Sequence, residues 1–340
     1  MAVDPWSVAE ADFPIHGKAP EILAFLVRYA VLAPSSHNTQ PWRFRPAGDA
    51  VELHADLSRK LEVADPDGRE LVISCGAALC HLRLAMRYFG YADLVEVLPQ
   101  PELLARVWLG APAAATAEEE RMFRAIPHRR TYRREFEARP LPASLLAALE
   151  SAAREEGACL HILASEEARH ELGELIAEAD RAQMADEAFR RELARWIHPH
   201  DSVTHDGMPG YAFGLPERMD FVTPWFARTI QAFDMGARVA ALDRKLAAAS
   251  PGLAVLGTAG DAPRDWLAAG QAIDRVLLRA WAEGVGASFF NQPVQVASLR
   301  PALRELMHGA GFPQMILRLG YAHETPPTPR RPASEVLAGH

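Results

Sequence analysis

The chain has 340 residues, 49% hydrophobic and 24% charged, with a formal net charge of −8. That mix belongs to a globular protein able to bury a large core, and the length points to two domains or one fold built from two repeats. The negative balance excludes general nucleic-acid binding, which needs a basic face to displace counterions.

Residues 1–19 are acidic and Pro-containing and are expected to form an irregular arm. They lack the basic region and apolar run of a signal peptide. No stretch reaches the ~20 apolar residues of a membrane span, so the expectation is a soluble, cytoplasmic protein. Pro20 to Leu32 carries Ile22, Leu23, Leu26 and Tyr29 at helical spacing, with Pro20 suited to a first turn. The loop Pro34 to Pro41 follows, stiffened by a proline at each end. Trp42–Phe44 and Val51–His54 alternate around Gly48-Asp49 and predict a hairpin. A helix over Glu70–Phe89 ends at Gly90, and short strands are expected at Val95–Leu98 and Ala105–Leu109.

A second series begins near Ala117, with helices expected over 117–125, 142–154 and 165–181 and a strand over 160–163. Residues 186–222, which hold His198, His200, His205, Gly207, Pro209, Gly210 and Pro216, show little periodicity. Such a segment reads as a lid-like insertion. Helices over 224–247, 263–283 and 299–307, strands over 253–257 and 314–319, and a Pro-rich tail complete the chain. The cysteines Cys75, Cys80 and Cys159 form no Cys-x-x-Cys pair, so they are expected to be buried inert thiols and not a disulfide framework or zinc site. His198-x-His200 with Asp201 and His205 lies on irregular chain without a partner ligand at defined spacing, and no metal is assigned. Gly284-x-Gly286 closes a helix and lacks a third glycine, so it is no dinucleotide fingerprint.

The chain resembles itself. An offset of 194 lays Cys75–Pro99 over Ala269–Pro293, pairing Gly76 with Gly270, Leu84 with Leu278, Gly90 with Gly284 and Pro99 with Pro293. An offset of 120 superposes the helices ending at Ala33 and Ala153. The loop 34–41 then faces a shorter segment, Arg154–Cys159, and the basic run 129–133 faces Ala9–Phe13, which has no positive charge. Each half keeps a piece the other lacks, which suggests one site per chain.

The sequence Ala33-Pro34-Ser35-Ser36-His37-Asn38-Thr39-Gln40-Pro41-Trp42 resembles the flavin loop of the nitroreductase family. Arg129-Arg130-Thr131-Tyr132-Arg133 resembles that family's phosphate-binding segment, with Thr131 in place of serine. Arginine's planar fork suits phosphate oxygens. Gly284-Val285-Gly286 to Asn291-Gln292-Pro293-Val294 is similar to the strand and turn facing the isoalloxazine ring. Gly320-Tyr321 through Thr328-Pro329-Arg330-Arg331-Pro332 resembles the C-terminal element, with Thr328 where the family has lysine. The whole is identified with the Acg-type branch, in which two fused units imitate the usual homodimer.

The resemblance implies an α+β fold of two pseudo-two-fold-related repeats, each a mostly antiparallel sheet packed by helices. The arm is placed at 1–19, the first repeat at 20–116 and the second at 117–340, with the tail from 320. It further implies FMN as cofactor, held by Pro34, Ser35, Ser36, Asn38, Gln40, Arg129, Arg130, Thr131, Arg133, Asn291, Gln292, Pro293 and Arg330. The implied activity is NAD(P)H-dependent reduction of a nitroaromatic or quinone-type acceptor by ping-pong hydride transfer through flavin N5, in a monomer. No catalytic side chain is assigned; His37 is read as positioning or exposed, because the flavin carries the reaction. Two alternatives stand beside this one: a protein that sequesters FMN under the 186–222 insertion with little turnover, and a structural chain whose flavin loop is degenerate.

Overall fold

In the computed structural model, which describes residues 4–100, 102–213, 215 and 217–337, the chain forms two four-stranded antiparallel sheets dressed with helices. Residues 1–3 of the arm, Pro216 of the insertion and residues 338–340 of the tail lie outside the described residues. Helix α1 (Ala19–Ala30) carries Pro20 in its first turn, where no N–H is needed. The hairpin β1 (Trp42–Ala47) and β2 (Ala50–Ala55) is followed by α2 (Arg69–Tyr88) and a second hairpin, β3 (Tyr91–Gln100) and β4 (Leu103–Pro112). A capping box between Thr116 and Glu119 opens α3 (Ala117–Ala125).

The second series runs α4 (Ala143–Glu155), β5 (Ala158–Ile162) and α5 (Glu166–Ala185), the last capped by the Ser165 hydroxyl. Next come α6 (Glu187–Arg195), α7 (Thr223–Ala232), α8 (Gly236–Ala248), β6 (Gly252–Thr258) and α9 (Pro263–Ala282). The chain closes with β7 (Val285–Phe289), α10 (Gln292–Gln295), α11 (Arg300–Leu306), β8 (Phe312–Tyr321) and α12 (Ala333–Val336).

The strand orders are β1-β2-β4-β3 and β5-β6-β8-β7. They are the same order, element for element, so the internal repeat is present in the topology. The glycines that the repeat pairs do the same job in both halves: Gly90 after α2 has φ +89° and Gly284 after α9 has φ +75°, a backbone that side chains disfavour. Helices α2 and α9 pack against each other between the two sheets, and Leu267 and Leu278 of α9 reach into the first half's core while Ile73 of α2 reaches into the second's.

The two sheets are buried differently. Val51 and Leu53 of β2 face the first core, whereas Glu52 and His54 point outward, with Glu52 held by Arg106 at 2.8 Å. In β6 both faces are apolar: Ala254 and Leu256 pack toward α9, while Leu253 and Val255 pack toward a further layer that includes α5, α8 and α11. That extra helical layer, absent from the first half's outer face, supplies one wall of the cleft.

Three expectations are corrected. The 186–222 segment is not wholly irregular: Asp186 caps α6, and Phe189 and Leu193, one turn apart, pack inward. The helix expected over 224–247 is two, because the backbone is extended at Phe233 and the Asp234 carboxylate accepts from Gly236 N at 2.7 Å to start a new helix. Cys75 and Cys80 are buried, but Cys159 is exposed, at an outward position of the edge strand β5.

Candidate functional site

The loop after α1 is held in an unusual backbone. His37, Asn38 and Gln40 have φ values of +49°, +55° and +51°. Such residues cost free energy and persist only where neighbours over-determine them. Here they do. Asn38 Nδ2 donates to Gly207 O at 2.9 Å and to Pro329 O at 3.0 Å, and Gln40 Nε2 donates to His205 O at 2.9 Å. The Ser35 hydroxyl accepts from Gln40 N at 2.9 Å, and Ser36 donates to the buried Glu70 carboxylate. Burial raises the Glu70 carboxyl above its usual range.

The basic run leaves α3 and crosses to the second sheet. Tyr132 N donates to Ala287 O at 2.8 Å, and Thr131 bridges Ala287 as a short parallel extension of β7. Arg318 of β8, 1% exposed, donates to Arg134 O at 2.8 Å and Tyr132 O at 3.2 Å and so holds the crossing in place. The tail returns in the opposite direction, with Leu337 bridging Phe44 of β1. Arg330 donates to the Asn38 side-chain oxygen at 2.7 Å.

These crossings gather Arg129, Arg130, Arg133 and Arg330. Among the described residues none of the four has a carboxylate at ion-pair distance. The buried Nε atoms of Arg129, Arg130 and Arg330 have no hydrogen-bond partner. Burial pulls all four guanidiniums below their ordinary value, Arg130 to about 10, and the charges of Arg129 and Arg130 push Arg330 further down. Trp6 lies under two of them, its ring 3.9 Å from the Arg130 guanidinium and 4.9 Å from that of Arg330, with Nε1 donating to Thr328 O at 3.0 Å.

Loop, basic run and tail open on one cavity of about 980 Å³. Pro34, Ser35, Ser36, Asn38, Arg129, Arg130, Thr131, Arg133, Asn291, Gln292 and Arg330 all line it. Gln40 and Pro293 do not. Gln40 is fully buried and accepts from Arg331 N at 2.8 Å, tying the tail to the loop, and Pro293 is buried in the first turn of α10. The Asn291 side-chain oxygen accepts from Ile316 N at 3.0 Å, while Gln292 Nε2 donates to both Asp180 and Asp243. His37 lines the same cavity and is pushed down to about 4 by burial and by the Arg133 charge, so its ring is neutral at pH 7.

The 186–222 segment lies against the loop through Gly207, His205 and Met208, whose sulfur is 3.8 Å from Arg133 Nη2. Its histidines all have partners: His198 faces Asp206 at 3.6 Å, His205 faces Glu335 at 3.0 Å and His200 faces the Tyr211 hydroxyl at 3.4 Å. Four residues of the site were not singled out from the sequence: Asp180, Asp243 and Arg318, which line the cavity, and Trp6, which lies under the arginines. Trp6 lies in the arm expected to be irregular, Arg318 within the strand expected over 314–319, and the two aspartates within the helices expected over 165–181 and 224–247.

No family model matches the chain. It is 33% identical over 339 residues, 95% of this chain and 92% of the relative, to a Mycobacterium tuberculosis protein named "Putative NAD(P)H nitroreductase Rv3131". It is 29% identical over 330 residues, 93% and 95% of the two chains, to the M. tuberculosis protein named "Putative NAD(P)H nitroreductase acg". Among solved structures it is similar to the FMN-dependent nitroreductase NfnB of Mycobacterium smegmatis in complex with NADPH, at 17% identity and a TM-score of 0.40 over 66% of this chain and 98% of that one. No helix among the described residues is long and apolar enough to cross a membrane.

Proposed function

Because the chain belongs to the nitroreductase family, in the Acg-type group of its relatives, we propose that its cleft holds FMN and serves NAD(P)H-dependent reduction of a nitroaromatic or quinone-type acceptor. The single observation that carries this reading is the set of unpaired buried arginines on the same cavity as the Ser35–Asn38 loop. Buried cations without counter-ions are costly unless something anionic joins them. A phosphate monoester, with nearly two negative charges and several acceptor oxygens, suits that donor set.

Arg129, Arg130, Arg133 and Arg330 would hold the phosphate, with the Thr131 hydroxyl as a further donor. Pro34, Ser35, Ser36 and Asn38 would face one edge of the ring, and the turn at Asn291–Gln292 the other. Gln40 acts one step back, by holding the loop against the tail. When bound, FMN supplies two-electron hydride exchange between a nicotinamide and an acceptor. The protein's own part is to bind, to orient and to exclude water. Neutral His37 keeps further charge out of the ring-side wall.

On this reading the first unit ends near residue 116 and the second runs from 117, with each lending the other a segment: the basic run in one direction and the tail in the other. A chain so built completes the site without a second copy, so a monomer is expected.

A second reading, sequestration of FMN, is favoured by one observation: the 186–222 segment is bonded directly to the ring-side loop through Gly207 and His205. Anaerobic mixing separates the two. Purified protein saturated with FMN is mixed with NADPH or NADH; bleaching within the catalytic time range supports reductase action. A yellow protein reduced by dithionite but not by nicotinamides supports sequestration, and a protein that takes up no FMN removes both.

A further inference from the structure

The second half's helical layer places two carboxylates at the cavity wall. Asp180 of α5 and Asp243 of α8 both accept from one nitrogen, Gln292 Nε2, at 2.9 Å and 3.0 Å. Asp180 is 2% exposed, and its Oδ2 has no hydrogen-bond partner although it is buried at the cavity wall. One amide cannot satisfy two carboxylates. Arg318, which acts on Asp243, is already bonded to two carbonyls. Arg181 acts weakly on Asp180, Arg238 is exposed, and Lys245 pairs with Glu135 at 3.2 Å.

Apart from Gln183, Arg238 and Gln295, the rest of this end of the cavity is mainly apolar, and the helical repeat explains why. Val239 and Asp243 lie one turn apart on one face of α8, with Met235 one turn earlier at its N-cap, and on α5 Met184 lies one turn beyond Asp180. Phe189, Phe226 and Ile230 close the same region. The carboxylates are thus a polar end of a mainly apolar slot, and with both ionised the pair lacks one positive charge.

We infer that this slot binds an amphiphilic amine, its aromatic or aliphatic body among Met184, Phe189, Phe226, Ile230, Met235 and Val239, and its ammonium on Asp180 and Asp243. The ammonium donates to the open Oδ2 of Asp180 and supplies the missing counter-charge. Without it, burial and Asp243 push the Asp180 carboxyl up to about 8, so most molecules carry a proton there at pH 7. Binding an ammonium expels that proton to solvent: one proton leaves Asp180 for each amine bound, and no bond to carbon is made or broken. The inference rests on reading that cleft as the acceptor pocket and adds one feature to its ligand: an ammonium group, which is bound and takes no electrons, carried beside whatever nitro or quinone group is reduced.

Calorimetric titration of the full chain, saturated with FMN where it takes it up, tests this directly. The probes are 4-phenylbutylamine and 4-phenylbutan-1-ol, at pH 7, in phosphate and in Tris. The amine is expected to bind at least tenfold more tightly than the alcohol, with close to one proton released, seen as a buffer-dependent heat. Asp180→Asn is expected to lower amine affinity at least tenfold and leave the alcohol within twofold. Equal affinities, no detectable binding of either probe at millimolar concentration, or amine binding without proton release would overturn the inference. If Asp180→Asn does not fold, the two probes on the unaltered protein and the variant Asp243→Asn decide it. Flavin uptake, read by absorbance in the same samples, reports separately on the FMN reading.

Discussion

Gly76 and Gly270, paired across the two halves by sequence, meet face to face where α2 crosses α9. A Cβ on Gly270 would lie 2.8 Å from the Gly76 Cα and would collide with the Ile73 carbonyl; one on Gly76 would lie 2.9 Å from the Gly270 Cα. Equivalent residues touch each other only at the axis relating two copies, so this contact marks the pseudo-two-fold axis of the chain. Gly270→Ala is expected to force the helices apart and destabilise the fold by about 2–4 kcal/mol, at or above the ordinary range for overpacking because backbone must move. Chemical denaturation checks it; a loss under about 0.5 kcal/mol would mean the crossing is not close.

The arginine cluster predicts opposite effects on stability and on ligand binding. Arg133→Ala or Arg129→Ala is expected to weaken FMN retention by roughly 1.5–3 kcal/mol, the scale of a charge-assisted hydrogen bond. The ligand-free variants should melt no lower than the parent, because a buried unpaired cation opposes folding. Flavin affinity and melting temperature measured on the same preparations check both. Unaltered affinity in both variants would refute the phosphate assignment.

Asp180 predicts a pH dependence of known sign. Its carboxyl is pushed up to about 8 in the folded chain by burial and by Asp243, while the unfolded chain holds it near the ordinary carboxyl value. Between roughly pH 4 and 8 the folded state therefore binds the extra proton. Stability from this group is present at low pH and is lost as pH rises toward 8, with a slope of at most about 1.4 kcal/mol per pH unit. Asp243, pushed up to about 6, adds the same sign over the lower part of the range. Urea melts of the parent and of Asp180→Asn across pH 5–8.5 check it: the variant's stability should depend less on pH.

Gln40 joins three segments without lining the cavity. It donates to His205 O and accepts from Arg331 N, so Gln40→Ala leaves buried groups unpaired and is expected to cost about 1–3 kcal/mol. Limited proteolysis should then cut near residues 198–207 sooner than in the parent. Parental cleavage kinetics would show that the insertion is held elsewhere.

What the sequence showed and what it hid follow from the range of the interactions involved. Gly90 and Gly284 were legible because a left-handed residue after a helix is a local requirement. The helix over 117–125 was legible because Thr116 and Glu119 cap it locally. The split between α7 and α8 was missed because an apolar pattern runs through Phe233, and only the Asp234 side chain restarts the helix. At the cleft, Ser35, Asn38, Arg129 and Arg133 stood out as motifs. Trp6 and Arg318 did not, since one acts on Arg330 from the far end of the chain and the other props the basic run from a distant strand. The pairing of Asp180 with Asp243 depends on two helices meeting, which no window of sequence displays.

If two incomplete halves make one anion-anchored flavin site, the stoichiometry of FMN binding is fixed at one per chain. Apoprotein at known concentration is titrated with FMN and followed by flavin fluorescence quenching, with chain mass checked in solution. One FMN per 340-residue chain, bound by a species of monomer mass, is the predicted result. Two FMN per chain, one FMN per pair of chains, or no saturable binding would contradict it.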